Sequence, residues 1–250
     1  GRQAPEASTV LKTTALAQQA PCYAVGEAIH YHLERMDLTG IHLKLQWKEE
    51  PPCPVRVNLF GAYQVANAAL AFGLLKVIKE KGYPWEEQDL EQGFANVVWP
   101  GRMEYFPGLP AILLDGAHNP DGIIALAQGL VQLFPDRKIR LVTGILGNRP
   151  VERMATLFTS VLGENLKQVY ATTVPDPKAA PCLRVARSFQ AVEVESEAIP
   201  HPLAALETAL SALEPDELLV VTGSLYLVGY LRPLILNLLP DQSGRNAGGS

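Results

Sequence analysis

From Ala111 onward the chain alternates short apolar runs with longer amphipathic stretches. The runs Ala111–Leu114, Ile139–Thr143, Val169–Thr172, Ala191–Val194 and Leu218–Val221 are apolar at nearly every position, the pattern of strands buried on both faces. Residues 121–133, 151–162, 180–189, 202–213 and 224–238 instead place apolar side chains at helical spacing. Strands separated by helices imply right-handed crossovers and a mostly parallel sheet with helices on both faces, an α/β fold.

The first hundred residues follow a different rhythm. Pro5 and Glu6 open a helix running to about Gln19, and a short strand is predicted around Tyr23–Val25. Ile29, Tyr31 and Leu33 then alternate with polar neighbours, as do Ile41, Leu43, Leu45 and Trp47. With the turn Asp37-Leu38-Thr39-Gly40 between them, these runs predict an antiparallel hairpin. A third strand is expected over Val55–Leu59. Val65, Ala68, Ala69, Phe72, Leu75 and Ile78 predict a long helix between Gly61 and Gly82, with Gly82 placed to cap it. A shorter, acid-led helix is predicted over Glu86–Asn96. The loop signature Trp99-Pro100-Gly101-Arg102 marks a boundary, so the expected domains are 1–98 and 99–240, followed by a disordered tail over 241–250.

Composition narrows the classes. The chain is 48% hydrophobic and 19% charged, with 21 basic against 26 acidic residues and a net charge of −5, which argues against a nucleic-acid binder. No apolar run reaches the roughly 18 residues of a membrane span, because Arg232 and Pro233 interrupt the longest one. Cys22, Cys53 and Cys182 are far apart and odd in number, so neither a disulfide framework nor a zinc site is indicated, and a reducing, cytoplasmic setting is expected. His30, His32 and His42 lie on the predicted hairpin; a His-x-His pair could bind a metal, but a solvated strand face accounts for it without a third ligand.

The chemistry-bearing segment is Leu114-Asp115-Gly116-Ala117-His118-Asn119-Pro120. Asp115 falls at the carboxyl end of a buried strand, where parallel sheets bind ligands, and Asn119-Pro120 supplies a helix cap and first residue. The carboxylate could accept from a ribose, or merely tie down its loop; His118 could donate to an anion or relay a proton. Arg102, at the domain boundary, could meet a polyphosphate or make a salt bridge. Gln64 and Asn67 share one helix face, and side-chain amides can read an adenine edge or serve as helix-end polar groups. Thr222-Gly223-Ser224 joins a strand to a helix, where Ser224 is an N-cap and free N–H groups could hold an anion. There is no G-x-x-x-x-G-K-[ST], no G-x-G-x-x-G and no G-x-S-x-G.

Four segments occur in order: Leu59-Phe60-Gly61-Ala62-Tyr63-Gln64-Val65-Ala66-Asn67-Ala68-Ala69, Trp99-Pro100-Gly101-Arg102, Asp115-Gly116-Ala117-His118-Asn119-Pro120, and Gly223-Ser224-Leu225-Tyr226-Leu227-Val228-Gly229. Together they resemble the folylpolyglutamate synthase / dihydrofolate synthase branch of the Mur ligase superfamily, over about residues 1–238. The resemblance implies a C-terminal Rossmann-like glutamate-ligase domain preceded by the end of a Mur-ligase-type central ATPase domain. It implies an ATP-dependent ligase that activates a carboxylate as an acyl phosphate and adds L-glutamate to folate or dihydropteroate. By the same resemblance Asn67 contacts adenine, Arg102 reaches the terminal phosphate, Asp115 binds the nucleotide near its ribose, and His118 helps place glutamate or phosphate. ATP and Mg2+ are the implied cofactors; the family's P-loop, magnesium ligands and folate-binding segment correspond to sequence upstream of Gly1. A monomer is expected, with no nucleic-acid or membrane partner, and the chain alone is expected to be inactive. The loop Gly144–Pro150 departs from the family, with Asn148-Arg149 in place of its usual Lys-Asp pair. The alternatives are a sibling ligase of peptidoglycan precursors and a non-catalytic nucleotide-binding module lacking a P-loop.

Overall fold

The computed structural model describes residues 4–239; the tail predicted over 241–250 lies outside the described residues. The chain divides into two compact units, one ending at Val98 and one beginning at Trp99.

The first unit begins with helix α1 (Pro5–Ala17), which has Pro5 in its first turn and buries none of its residues. Strands β1 (Ile29–Asp37), β2 (Gly40–Trp47) and β3 (Cys53–Val57) form an antiparallel sheet in the order β1-β2-β3. On β2 the predicted alternation holds: Ile41, Leu43, Leu45 and Trp47 are buried, and Lys44 is exposed. On β1 it fades, because a bulge between Leu33 and Arg35 shifts the register and Leu33 is exposed. Tyr23–Val25 is not a strand, since only an isolated bridge joins Val25 to Ile29. The third strand begins at Cys53, earlier than expected; Pro54 is tolerated there because β3 is an edge strand. Helix α2 (Tyr63–Glu80) lays Val65, Ala68, Ala69 and Phe72 on the sheet. Gly73 comes so close that a Cβ would sit 2.3 Å from Ile29 Cδ1. Helix α3 (Glu87–Ala95) starts with a capping box in which Asp89 accepts the Glu86 N–H at 2.8 Å.

The second unit is built on a six-stranded sheet. Its strands are β4 (Glu104–Phe106), β5 (Ile112–Leu114), β6 (Ile139–Thr143), β7 (Leu166–Ala171), β8 (Ser196–Ala198) and β9 (Leu218–Thr222), in the order β4-β5-β9-β6-β7-β8. All neighbours are parallel except β4, which pairs antiparallel with β5 at one edge. That strand is too short to register in a periodicity, so the observed sheet is mixed. The predicted strand at Ala191–Val194 is instead a turn: Ala191 caps the preceding helix, Glu193 takes φ +62, and the strand forms at Ser196.

The crossover helices are α4 (Pro120–Leu133), α5 (Val151–Leu162), α6 (Cys182–Gln190) and α7 (Pro202–Ser211), and helix α8 (Leu225–Leu238) follows the last strand. One face of the sheet, with Ile112, Leu114, Val142, Leu219 and Val221, packs against Leu206, Leu227, Val228 and Leu231 of α7 and α8. Leu113, Leu141 and Val220, pointing the other way, are equally buried, so both faces are covered. Near the start of β6, Arg140 Nε meets Glu217 at 2.6 Å, and both side chains are almost fully buried. Tyr170 and Lys167 complete this ionic cluster. Among the described residues no helix is long and apolar enough to cross a membrane.

Candidate functional site

Three loops meet at the carboxyl ends of β5, β9 and β6, the usual ligand edge of a parallel sheet. Glycine makes the meeting possible. Gly223 takes φ +99, and a Cβ there would lie 2.5 Å from Thr143 Oγ1 and 2.6 Å from the Gly144 carbonyl. At Gly116 a Cβ would collide with Leu225 at 2.2 Å. The Ala117 carbonyl then accepts the Gly223 N–H at 3.0 Å, fastening the loop after β5 to the loop after β9.

Asp115 is the centre of this junction and only 3% exposed. Its Oδ2 accepts the Met103 N–H at 2.9 Å, and its Oδ1 accepts the Ala117 N–H at 2.7 Å. Burial pushes its carboxyl above the ordinary value, against the pull of those two N–H donors and of the nearby Arg102 charge. A single carboxylate therefore ties the residue following Arg102 to the residue preceding His118. The Arg102 side chain is half-buried and makes no hydrogen bond or ion pair with protein among the described residues. The half-buried His118 donates from Nδ1 to the Gly116 carbonyl at 2.8 Å, which orients the ring and leaves Nε2 without a hydrogen-bond partner among the described residues.

Two helices begin at this edge. Asn119 Oδ1 accepts the Gly122 N–H at 2.8 Å and caps α4, whose first residue is Pro120. Ser224 Oγ accepts the Tyr226 N–H at 3.1 Å and caps α8. Both N-termini carry the partial positive charge that suits anionic groups. Thr143, fully buried beside Gly223, has a hydroxyl without a hydrogen-bond partner among the described residues, a feature no local motif announces.

Arg102, Asp115 and His118 are thus gathered in the second unit. Asn67 belongs to the first, where it lies exposed on α2 and donates from Nδ2 to the Oε1 of buried Gln64 at 2.8 Å. That bond orients the Asn67 amide while occupying one of its donors. On the hairpin, His42 Nε2 accepts from Arg35 at 2.9 Å and His30 Nε2 donates to the Glu27 carbonyl at 3.0 Å. Among the described residues no group of three or more His, Cys, Asp or Glu side chains is arranged to hold a metal ion.

Residues 101–225 match the family described as Mur ligase, glutamate ligase domain. The chain belongs to this family. Over 184 residues the chain is 36% identical to a folylpolyglutamate synthase of Lacticaseibacillus casei, covering 73% of this chain and 40% of that protein. The fold is similar to a folylpolyglutamate synthase of Thermotoga maritima with TM-score 0.79 and 26% identity, over 97% of this chain and 54% of that one. A folylpolyglutamate synthase of Mycobacterium tuberculosis complexed with ADP gives the same TM-score and identity, over 94% of this chain and 53% of that one. The chain thus spans about half the length of the relatives it matches.

Proposed function

We propose that this chain is the glutamate-ligase portion, with the end of the central ATPase domain, of an ATP-dependent ligase that adds L-glutamate to folate or dihydropteroate. In this reading the domains are 1–98 and 99–240, and the enzyme is a cytoplasmic monomer. The observation that carries the proposal is the Asp115 junction, which brings Arg102 and His118 together at the carboxyl edge of a glutamate ligase domain. The alternative of a peptidoglycan-precursor ligase shares the domain family, but the 36%-identical relative is a folylpolyglutamate synthase, which favours folate.

The residues present suit an anionic ligand. Arg102 is a guanidinium that makes no hydrogen bond or ion pair among the described residues, able to meet the terminal phosphate of ATP. Attack of the acceptor carboxylate on that phosphorus forms the acyl phosphate and releases ADP. The glutamate amine then attacks the acyl carbon, expelling phosphate and losing a proton to form the amide. Negative charge grows on the phosphoryl oxygens in the first step and on the departing phosphate in the second, and Arg102 stabilises both. His118, its ring oriented by the Nδ1 bond, places the glutamate or the leaving phosphate through Nε2. Asn67 faces adenine with the amide that Gln64 orients. Asp115 acts near the ribose chiefly through the backbone it holds, since each of its oxygens already accepts an N–H. Mg2+ would neutralise the phosphates when bound, but the described residues offer no cluster of ligands to hold it.

Product analysis with ATP, L-glutamate and separate folate, dihydropteroate and cell-wall acceptors tests the reading. A polypeptide joining this chain to a P-loop-bearing segment is expected to glutamylate the folate-type acceptors, and this chain alone is not. Glutamylation or aminoacylation of the cell-wall acceptor alone would assign the sibling ligase. ATP binding without product from any acceptor would assign the non-catalytic module.

A further inference from the structure

We infer that Glu104 and Arg232 are positioning residues that hold the Arg102 loop against helix α8. Arg232 Nε donates to Glu104 Oε2 at 2.9 Å and Oε1 at 3.1 Å, and a terminal nitrogen reaches Oε1 at 2.7 Å. Glu104 Oε2 also accepts the Gly101 N–H at 2.8 Å. One carboxylate is therefore shared between α8 and the residue immediately before Arg102.

The rest of the loop is held as closely. The Gly101 carbonyl accepts the Gly116 N–H at 2.8 Å, and the Met103 N–H is taken by Asp115. Gly101 takes φ +68 and approaches α8 so nearly that a Cβ would lie 3.0 Å from Val228 Cγ1, one turn before Arg232. Met103, fully buried, takes φ +44, a left-handed conformation that a non-glycine residue keeps only when its surroundings enforce it. The backbone on both sides of Arg102 is thus pinned, while its guanidinium makes no hydrogen bond or ion pair among the described residues.

A partly exposed ion pair contributes little to stability by itself. The forked geometry and the shared Gly101 amide give this one a directional role: they fix the point from which the long Arg102 side chain reaches out. The target of Arg102 rests on the ligase reading; the fixing of its loop does not.

The test separates positioning from simple stabilisation by moving the carboxylate. In Glu104→Arg/Arg232→Glu the charges can pair again, but the carboxylate now sits on α8 and no longer has its place beside Gly101. Backbone amide exchange and the Arg102 Nε–Hε resonance are followed by NMR on the chain without nucleotide. The double variant is expected to keep slow exchange at Val142 and Val220, yet to exchange Gly101 and Gly116 about tenfold faster or more. Its Arg102 resonance is expected to broaden or move. Glu104→Gln, which keeps an acceptor for Gly101, is expected to stay near wild type at both amides. Wild-type protection of Gly101 in the double variant, or in Glu104→Ala, would overturn the inference. So would loss of protection in Glu104→Gln as large as in Glu104→Ala.

Discussion

Replacing Asp115 by alanine tests whether this carboxylate holds the site together or only awaits a ligand. The substitution removes both acceptors at once, leaving the Met103 and Ala117 N–H groups without their partners in a buried setting. An orphaned buried donor costs about 1–3 kcal/mol, so the pair amounts to roughly 2–6 kcal/mol. Against this stands the relief of no longer burying a charge, the effect that pushes the Asp115 carboxyl upward. The net expectation is a loss of about 2–4 kcal/mol. In a unit of this size that lowers the melting temperature by several degrees, on the order of 2–4 °C per kcal/mol. Urea unfolding followed by amide exchange at β6 and β9 isolates this unit from the other. Asp115→Asn keeps one acceptor and is expected to fall between wild type and alanine. A carboxylate kept for a nucleotide alone would behave oppositely, because removing an unpaired buried charge stabilises a free protein. An Asp115→Ala variant as stable as wild type, or more so, refutes the clamp.

Glu217→Ala should cost about 3–5 kcal/mol, since it strands the Arg140 guanidinium in the interior; denaturant titration reads it, and a loss below about 1 kcal/mol contradicts the assignment. Burial would raise the Glu217 carboxyl, but Lys167, the Glu214 N–H and Arg140 together hold it below the ordinary carboxylate value. Its contribution is therefore present above the unfolded-state pKa and is lost as pH falls through the lower, folded value, so Glu217→Ala should flatten the acid limb of a stability–pH curve. Arg102→Ala, in a polypeptide that joins this chain to a P-loop segment, should depress turnover about 10²–10³-fold with little change in melting temperature; near-normal glutamate addition removes Arg102 from the phosphate role. Gly223→Ala should destabilise by more than about 1 kcal/mol, because φ +99 and the 2.5 Å approach to Thr143 both oppose a Cβ. A melting curve unchanged by that substitution contradicts the packing of the three loops.

What the sequence made legible follows the range of the forces involved. The buried strands β6 and β9 and helices α5 and α8 stand out because one period of apolar residues reports one continuous environment. Asn119 and Ser224 are legible as caps for the same reason: the hydroxyl or amide and the N–H it takes lie within three residues of each other. Strand β4 left no trace, because three residues hold less than a full pattern and its partner β5 lies beyond a loop. The turn after α6 misled because Val192 and Val194 look strand-like while their backbone is set by the helix end. For Asp115 the spacing left both ligand and loop tie open; the choice depends on Met103, twelve positions away and brought near by the pairing of β4 with β5. Glu104 and Arg232 are separated by 128 positions, so nothing local can join them. The candidate site is therefore half readable: side chains that touch their own helix or loop declare themselves in the sequence, while those that fasten one strand-end loop to another emerge only once the sheet order brings those ends together.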